Sequence, residues 1–162
     1  MGMAAMFKIL DATELASIDA NPDCVEDLLF PEDAENPFEG QYDIDKSWHA
    51  IHYLITGSTE PDGSLAGDAI LGGKPVGGDL GYGPARLIAP EQVRKIAEAL
   101  QDIDLEASYN CVDHSIANNA DVYLGFEFSD NERKHLCRFF DVLRDAYSTA
   151  AFRDRAVLAY LC

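Results

Sequence analysis

Apolar residues that repeat every three or four positions predict two long helices. The first opens at Pro90, a residue favoured at the first position of a helix. The second follows Ser129, which together with Glu132 matches a capping box. The two stripes consist of Val93, Ile96, Ala97 and Leu100 in the first helix and of Leu136, Phe139, Phe140, Leu143 and Tyr147 in the second.

Shorter helical signals precede these two. Asp11 with Glu14 predicts a helix over 12–19, and Asn21 followed by Pro22 predicts a second short helix. A stripe ending before Gly57 predicts a third helix over 44–56. Residues 31–43 hold two prolines, a glycine and five acidic residues without periodicity, so they are predicted to form an acidic surface loop.

Strand signals are few and lie between the helices. Residues 6–10 and 156–161 read as strands, the second of the buried type, and residues 65–71 are also predicted as a strand. A further strand over 122–128 is an open alternative within an ambiguous region. This order does not match the regular alternation of a doubly wound sheet. The prediction is a helix-rich single α+β domain over 1–162 with a small mixed sheet.

The charge of the chain is strongly negative and unevenly distributed. Lys and Arg number 12 against 29 Asp and Glu, a formal net charge of −17. Such a surface repels nucleic acid and anionic membranes, so neither is expected as a partner. Twelve of the acidic residues and no Lys or Arg lie between positions 11 and 45. That segment is interpreted either as a solvated face that favours solubility or as a docking surface for a basic protein partner.

Compartment and cofactor signals are sparse. The first ten residues lack the basic and apolar regions of a signal peptide, and no apolar run is long enough to span a bilayer, so a cytoplasmic location is expected. The four cysteines form no CxxC pair, which favours free thiols. No metal site and no cofactor are predicted, and no nucleophile motif such as GxSxG is present.

The segment 45–57, DKSWHAIHYLITG, is the first candidate site. At helical spacing, Asp45, His49 and His52 fall on one arc beside Trp48. A carboxylate paired with an imidazole is an arrangement suited to a general base. The same residues are equally typical of helix capping and of partly buried structural histidines, and a metal site would lack a third ligand.

The glycine-rich segment 71–86, LGGKPVGGDLGYGPAR, is the second candidate. Six of the twelve glycines lie between positions 72 and 83, yet the segment matches neither the Walker nor the dinucleotide-binding pattern. Lys74 and Arg86 bring positive charge to an acidic protein, and Asp79 and Tyr82 add a carboxylate and a phenol. The segment is interpreted either as a structural loop or as a contact for a small polar or anionic ligand.

The two segments also carry a family resemblance. DKSWHAIHYLITG at 45–57, AILGG at 69–73 and DLGYGPARLIAPEQVRKIAEAL at 79–100 resemble the YfbM-like family of small bacterial proteins, domain of unknown function 1877. The resemblance covers nearly the whole chain and is weakest over 110–128. It implies a single α+β domain and a bacterial cytosolic protein, and it supplies no activity, cofactor or catalytic residues.

Two functions from different classes follow from these observations. The first is a binding or interaction protein that uses the acidic N-terminal segment. The second is a small-molecule-binding protein or enzyme whose site combines Asp45, Trp48, His49, His52, Asp79, Tyr82 and Arg86. The second requires that the 45–57 helix and the glycine-rich segment line one pocket.

Overall fold

A five-stranded sheet forms the centre of the computed structural model, which describes residues 2–162. The strands are β1 (Ala5–Leu10), β2 (Tyr42–Asp43), β3 (Lys74–Asp79), β4 (Pro84–Ile88) and β5 (Ala156–Leu161). Their order across the sheet is β2-β1-β5-β4-β3, and every pairing is antiparallel. The predicted helix-rich α+β class is confirmed, with an antiparallel sheet in place of the mixed sheet that was predicted.

Eight α-helices surround this sheet in the described residues. Two 3-10 turns, Pro22–Cys24 and Asp45–Ser47, lead directly into the second and third helices. The helices are α1 (Ala12–Ala20), α2 (Val25–Leu29), α3 (Trp48–Thr56), α4 (Leu65–Leu71), α5 (Pro90–Gln101), α6 (Leu105–Cys111), α7 (His114–Asn118) and α8 (Asp130–Phe152).

The sheet separates two hydrophobic cores. The larger core joins Phe7 and Ala159 to residues of α3, α4, α5, α6 and α8, and we call that side of the sheet the helical face. The smaller core joins Met6 and Leu158 to α1 and α2 on the other side. Because β5 is the central strand and both its faces are covered, its sequence is apolar throughout rather than alternating.

The helix boundaries agree with the capping signals in the sequence. Asp11 Oδ1 accepts a hydrogen bond from the N–H of Glu14 at 2.8 Å, and the Asp11 N–H donates to the Glu14 carboxylate at 2.8 Å. Ser129 Oγ accepts from the N–H of Glu132 at 3.1 Å, but the Glu132 carboxylate binds other backbone groups, so the reciprocal half of the capping box predicted there does not form. Gly57 ends α3 with a φ of 72°, a conformation that glycine adopts without steric cost. These predicted ends are confirmed.

The strand predicted over 65–71 is wrong. Residues 65–71 form helix α4, whose first turn is capped by Ser64 Oγ accepting from the N–H of Gly67 at 3.0 Å. A short apolar run does not by itself distinguish a buried strand from a buried helix turn. The cap at Ser64 is the local signal that favours the helix.

The glycine-rich segment is a β-hairpin rather than a loop. β3 is an edge strand, where glycine and proline are tolerated because only one side of the strand pairs. Gly77 has a φ of 75°, and a Cβ there would lie 2.9 Å from Cβ of Val25. Glycine therefore lets the strand approach helix α2 closely.

No strand forms over 122–128 in the structure, which settles the ambiguous region 109–128 as helices and turns. Leu124 and Phe128 adopt positive φ values of 67° and 54°. The Glu132 carboxylate accepts from the N–H groups of Glu127 and Phe128 at 3.0 and 2.9 Å. These backbone donors bind a side chain and are not available to a sheet partner.

Candidate functional site

Trp48 is a core residue. It is 6% exposed, and its indole Nε1–H donates to the carbonyl oxygen of Met3 at 3.1 Å. Its ring stacks on the imidazole of His49 with 4.6 Å between ring centroids and 9° between planes. The indole therefore ties the start of the chain to helix α3, and its polar group is already used.

His49 has partners for both ring nitrogens. Nε2 lies 2.9 Å from the carbonyl oxygen of Thr59, and Nδ1 accepts from the backbone N–H of Tyr123 at 2.9 Å. The carbonyl requires that Nε2 carries the hydrogen, which fixes the tautomer. Because both nitrogens are engaged, this imidazole joins two loops and has no free site for a substrate proton.

His52 is fully buried on the same helix. It is 0% exposed, and its Nε2–H donates to the carbonyl oxygen of Glu60 at 3.1 Å. Within residues 2–162, Nδ1 has no hydrogen-bond partner. Burial lowers the pKa of the imidazole, because the charged form would lose its hydration. His52 therefore holds the 57–64 loop as a neutral ring that solvent does not reach.

Asp45 lies in a cleft that the two histidines do not line. The cleft measures about 400 Å³ and is bordered by Asp45, Lys46 and Ser47 on one side and by Tyr123, Glu127 and His135 on the other. Asp45 has a φ of 48°, and its N–H donates to Oδ1 of Asp43 at 2.6 Å. The predicted convergence of Asp45 with both histidines is therefore not what the structure shows.

Asp79 stabilises the tip of the hairpin. Its Oδ1 accepts from the N–H groups of Gly81 and Gly83, at 2.8 and 2.9 Å. This is the local pattern by which aspartate closes a turn. Tyr82 stands between these two glycines and is 46% exposed.

Arg86 lies on β4 and lines a second space, which we call the hairpin cavity. This cavity measures about 120 Å³ and lies between the sheet and the end of α4, with Phe7, Ile70, Tyr82, Arg86 and Ala159 among its lining residues. Asp45 lines the first cleft, and Tyr82 and Arg86 line the hairpin cavity. The 45–57 helix and the glycine-rich segment therefore contribute to different spaces, and the single composite site does not form.

Several residues of the hairpin cavity were not identified from the sequence. Ala5, Phe7, Ala159 and Leu161 belong to β1 and β5, which are adjacent in the sheet but lie at opposite ends of the chain. Apolar patterning placed these residues in strands, yet it carries no information on which strands pair. The antiparallel register that brings these residues beside Arg86 is set by the packing of the whole domain and is not visible in the local sequence.

The acidic segment lies on the side of the sheet that carries α1 and α2. Ten of its twelve acidic residues are exposed, and we call them the acidic face. One of the six ion pairs in the described residues, Lys8 with Glu14 at 3.2 Å, involves this segment. The acidic face consists of Asp11, Asp19, Asp23, Glu26, Asp27, Glu32, Asp33, Glu35, Glu39 and Asp43.

An exposed aromatic residue lies beside the acidic face. Phe38 is 41% exposed and lines a groove of about 350 Å³ that also includes Met6 and Asp43. The Phe38 ring packs edge-on against Phe30, and Phe30 packs edge-on against Tyr160, with centroid distances of 6.1 and 5.8 Å. Phe38 is therefore held in place by the smaller core while one side of its ring faces solvent.

Metal and membrane features are limited in residues 2–162. No group of three His, Cys, Asp or Glu side chains in this range is arranged to hold a metal ion. None of the helices in the same range combines the length and the apolar character needed to cross a bilayer.

Comparisons with known proteins agree with the architecture. A solved structure of YfbM, described as a protein of unknown function from Escherichia coli, has a similar fold, with a TM-score of 0.70, 19% identity, and coverage of 98% of this chain and 99% of that chain. At that identity the likeness shows the fold alone. No curated protein matches the chain. A family model described as domain of unknown function DUF1877 matches residues 1–160. The chain therefore belongs to the DUF1877 family.

Proposed function

We propose that this protein is a binding protein that docks a basic protein partner on its acidic face. The observation that carries the proposal is the contrast in charge pairing. Carboxylates of α5, α6 and α8 form ion pairs with Arg and Lys of the same chain, whereas one carboxylate of the segment 11–45 does so. Within residues 2–162, the carboxylates of the acidic face form no ion pair. A basic partner would supply the opposing charge.

Phe38 and the adjoining groove supply an anchor point within this surface. Interfaces gain most of their affinity from a few residues, with aromatic and arginine side chains prominent among them. A guanidinium placed over the Phe38 ring would make a cation–π contact, and Asp43 in the same groove would pair with its charge. We infer that the partner presents an arginine to this groove. The cytoplasmic location expected from the sequence would place that partner in the cytoplasm.

The proposal is tested with two charge-matched variants in affinity capture from a bacterial lysate at low and moderate salt. The test variant, Glu32→Gln/Asp33→Asn/Glu35→Gln, neutralises three residues of the acidic face. The control variant neutralises three exposed carboxylates on or beside α5 and α8, on the other side of the sheet. These are Glu98→Gln, Asp102→Asn and Asp145→Asn.

A partner that is captured must be identified, purified and measured against all three proteins. We expect a basic partner that binds the wild type and the control equally, binds the test variant about tenfold more weakly, and loses affinity as salt increases. Phe38→Ala should weaken the same complex while leaving the helix content unchanged. Equal binding by all three proteins, or the absence of any salt-sensitive partner, would contradict the proposal.

A further inference from the structure

We propose that the hairpin cavity is a binding site for a small carboxylate with a short apolar chain, held by Arg86. This site is independent of the acidic face, which lies with α1 and α2. It differs from the composite site expected from the sequence, because it excludes helix α3 and includes strands β1 and β5.

The sheet register directs Arg86 into the cavity. Arg86 is paired with Ala159 of β5, and Ala159 is paired with Phe7 of β1. Residues directly opposite each other in a sheet point to the same face. Phe7 and Ala159 both belong to the larger core, so Arg86 also extends onto the helical face, where helix α4 covers part of the sheet.

Two alanines, one in each of two neighbouring rows of the sheet, leave room for the cavity. Ala159 lies between Phe7 and Arg86 in one row, and Ala5 lies opposite Leu161 in the next. Ile70, from α4, lies on the other side of the cavity. Since alanine fills little of the space between the sheet and the helix, a volume with both apolar and polar walls remains beside the guanidinium.

Gly73 allows the chain to pass close to Arg86. It has a φ of 91°, and a Cβ at this position would lie 2.9 Å from Cγ1 of Ile88 and 3.2 Å from Cβ of Arg86. Glycine is therefore required for the connection from α4 to β3 to lie against β4. The connection therefore packs against the base of the Arg86 side chain.

The positive charge of Arg86 makes an anion the expected ligand of the cavity. Arg86 is half-buried and is the one charged side chain among the residues that line the cavity. Within residues 2–162, its guanidinium takes part in none of the ion pairs or side-chain hydrogen bonds. A guanidinium binds a carboxylate through two parallel N–H···O bonds, and partial burial strengthens that interaction.

The polar groups of the cavity favour a carboxylate over a phosphate. Phosphate carries more charge and needs several further donors. The N–H of Gly83 already donates to Asp79, at 2.9 Å, so it is not available. Tyr160 also lines the cavity but donates its hydroxyl to Gln41 at 2.8 Å, so Tyr82 is the lining side chain whose hydroxyl is left to supplement Arg86. A planar anion with an apolar tail therefore fits these walls better than a compact oxyanion.

Calorimetric titration with acetate, propionate, butyrate and inorganic phosphate tests the proposal on the full chain. We expect saturable carboxylate binding that strengthens about fourfold per added methylene until the cavity is filled. Arg86→Gln should weaken butyrate binding at least about tenfold. Lys74→Gln removes an exposed positive charge from the neighbouring strand and should leave binding unchanged.

A second variant tests the volume of the cavity separately from the charge of Arg86. Ala159→Leu fills the volume while Arg86 stays in place, and it should abolish butyrate binding. If that variant fails to fold, Arg86→Lys keeps the charge, removes the two-pronged geometry and should weaken binding severalfold. The proposal is overturned if no carboxylate binds saturably, if Arg86→Gln binds butyrate as the wild type does, or if phosphate binds more tightly than butyrate.

Discussion

Helix α3 and the β3–β4 hairpin both contain polar residues in patterns that suggest a ligand site, yet they use those residues in opposite ways. On α3, the indole of Trp48 and both nitrogens of His49 bind the backbone of other segments. On the hairpin, the Asp79 carboxylate is used by the turn, whereas the Arg86 side chain lines the hairpin cavity and forms no ion pair within the described residues. A polar side chain is therefore available to a ligand when its hydrogen bonds are not already satisfied within the fold.

The largest effect is expected from Trp48→Ala. This change removes a nearly fully buried indole and its hydrogen bond to Met3, and should lower the free energy of unfolding by about 3–5 kcal/mol. Urea unfolding followed by circular dichroism measures it. A loss below about 1 kcal/mol would show that Trp48 is not a core residue and would remove the contrast with the hairpin.

His49→Phe should have the next largest effect. Phenylalanine keeps an aromatic ring beside Trp48 but leaves the Thr59 carbonyl and the Tyr123 N–H without partners, at a cost of about 1–3 kcal/mol. Hydrogen exchange should accelerate at the Tyr123 amide. The matched control, His135→Phe, changes an exposed histidine and should stay within about 0.5 kcal/mol of the wild type. Equal effects from the two variants would argue against a structural role for His49.

The free energy of unfolding should depend on pH through the buried imidazole of His52. Its pKa is lowered by burial, so as the pH falls the unfolded chain takes up a proton before the folded chain does. The contribution of His52 is therefore fully present above its ordinary pKa of 6.5 and is lost below it, by up to about 1.4 kcal/mol per pH unit.

Unfolding free energies of the wild type and of His52→Leu between pH 7 and pH 5 isolate this contribution. Carboxylates titrate in both proteins, and the difference between the two slopes belongs to His52. Asp62 and His49, the charged or titratable groups that act on this imidazole, are present in both. Parallel slopes would show that His52 is protonated as easily in the folded protein as in the unfolded chain.

The smallest effect on stability is expected from Arg86→Gln. The Arg86 guanidinium forms no ion pair within residues 2–162. Its replacement should therefore change the free energy of unfolding by less than about 0.5 kcal/mol. Urea unfolding without added carboxylate provides the measurement. A loss of about 2 kcal/mol or more is expected when a buried, hydrogen-bonded group is removed. Such a loss would show that Arg86 has a structural role, as Trp48 and His49 do, and is not free to bind a ligand.

The sequence was most informative where structure is determined locally. The caps at Asp11 and Ser129, the stop at Gly57 and the buried strand β5 follow from contacts within a few residues or from composition. Helix α4 and the hairpin were predicted incorrectly, because the structure of a short, mostly apolar segment and of a glycine-rich edge strand depends on what packs against them.

The candidate site was predictable only in part for the same reason. The segment containing Tyr82 and Arg86 was identified from its charge and its glycines. The neighbours of Arg86 come from β1 and β5, whose pairing is not visible in the chain order. Whether an imidazole is free or bound to a distant carbonyl, as with His49 and Thr59, is likewise determined by tertiary contacts.

The most direct test of the contrast between α3 and the hairpin is side-chain ¹⁵N NMR of histidine and arginine signals, recorded with and without butyrate. The Nε2–H protons of His49 and His52 should be observable, exchange slowly with solvent and be unaffected by butyrate. The Nε–H of Arg86 should exchange rapidly in the free protein and slow when butyrate is added. Rapid exchange at the two imidazoles, with butyrate shifting their signals and not that of Arg86, would contradict the account.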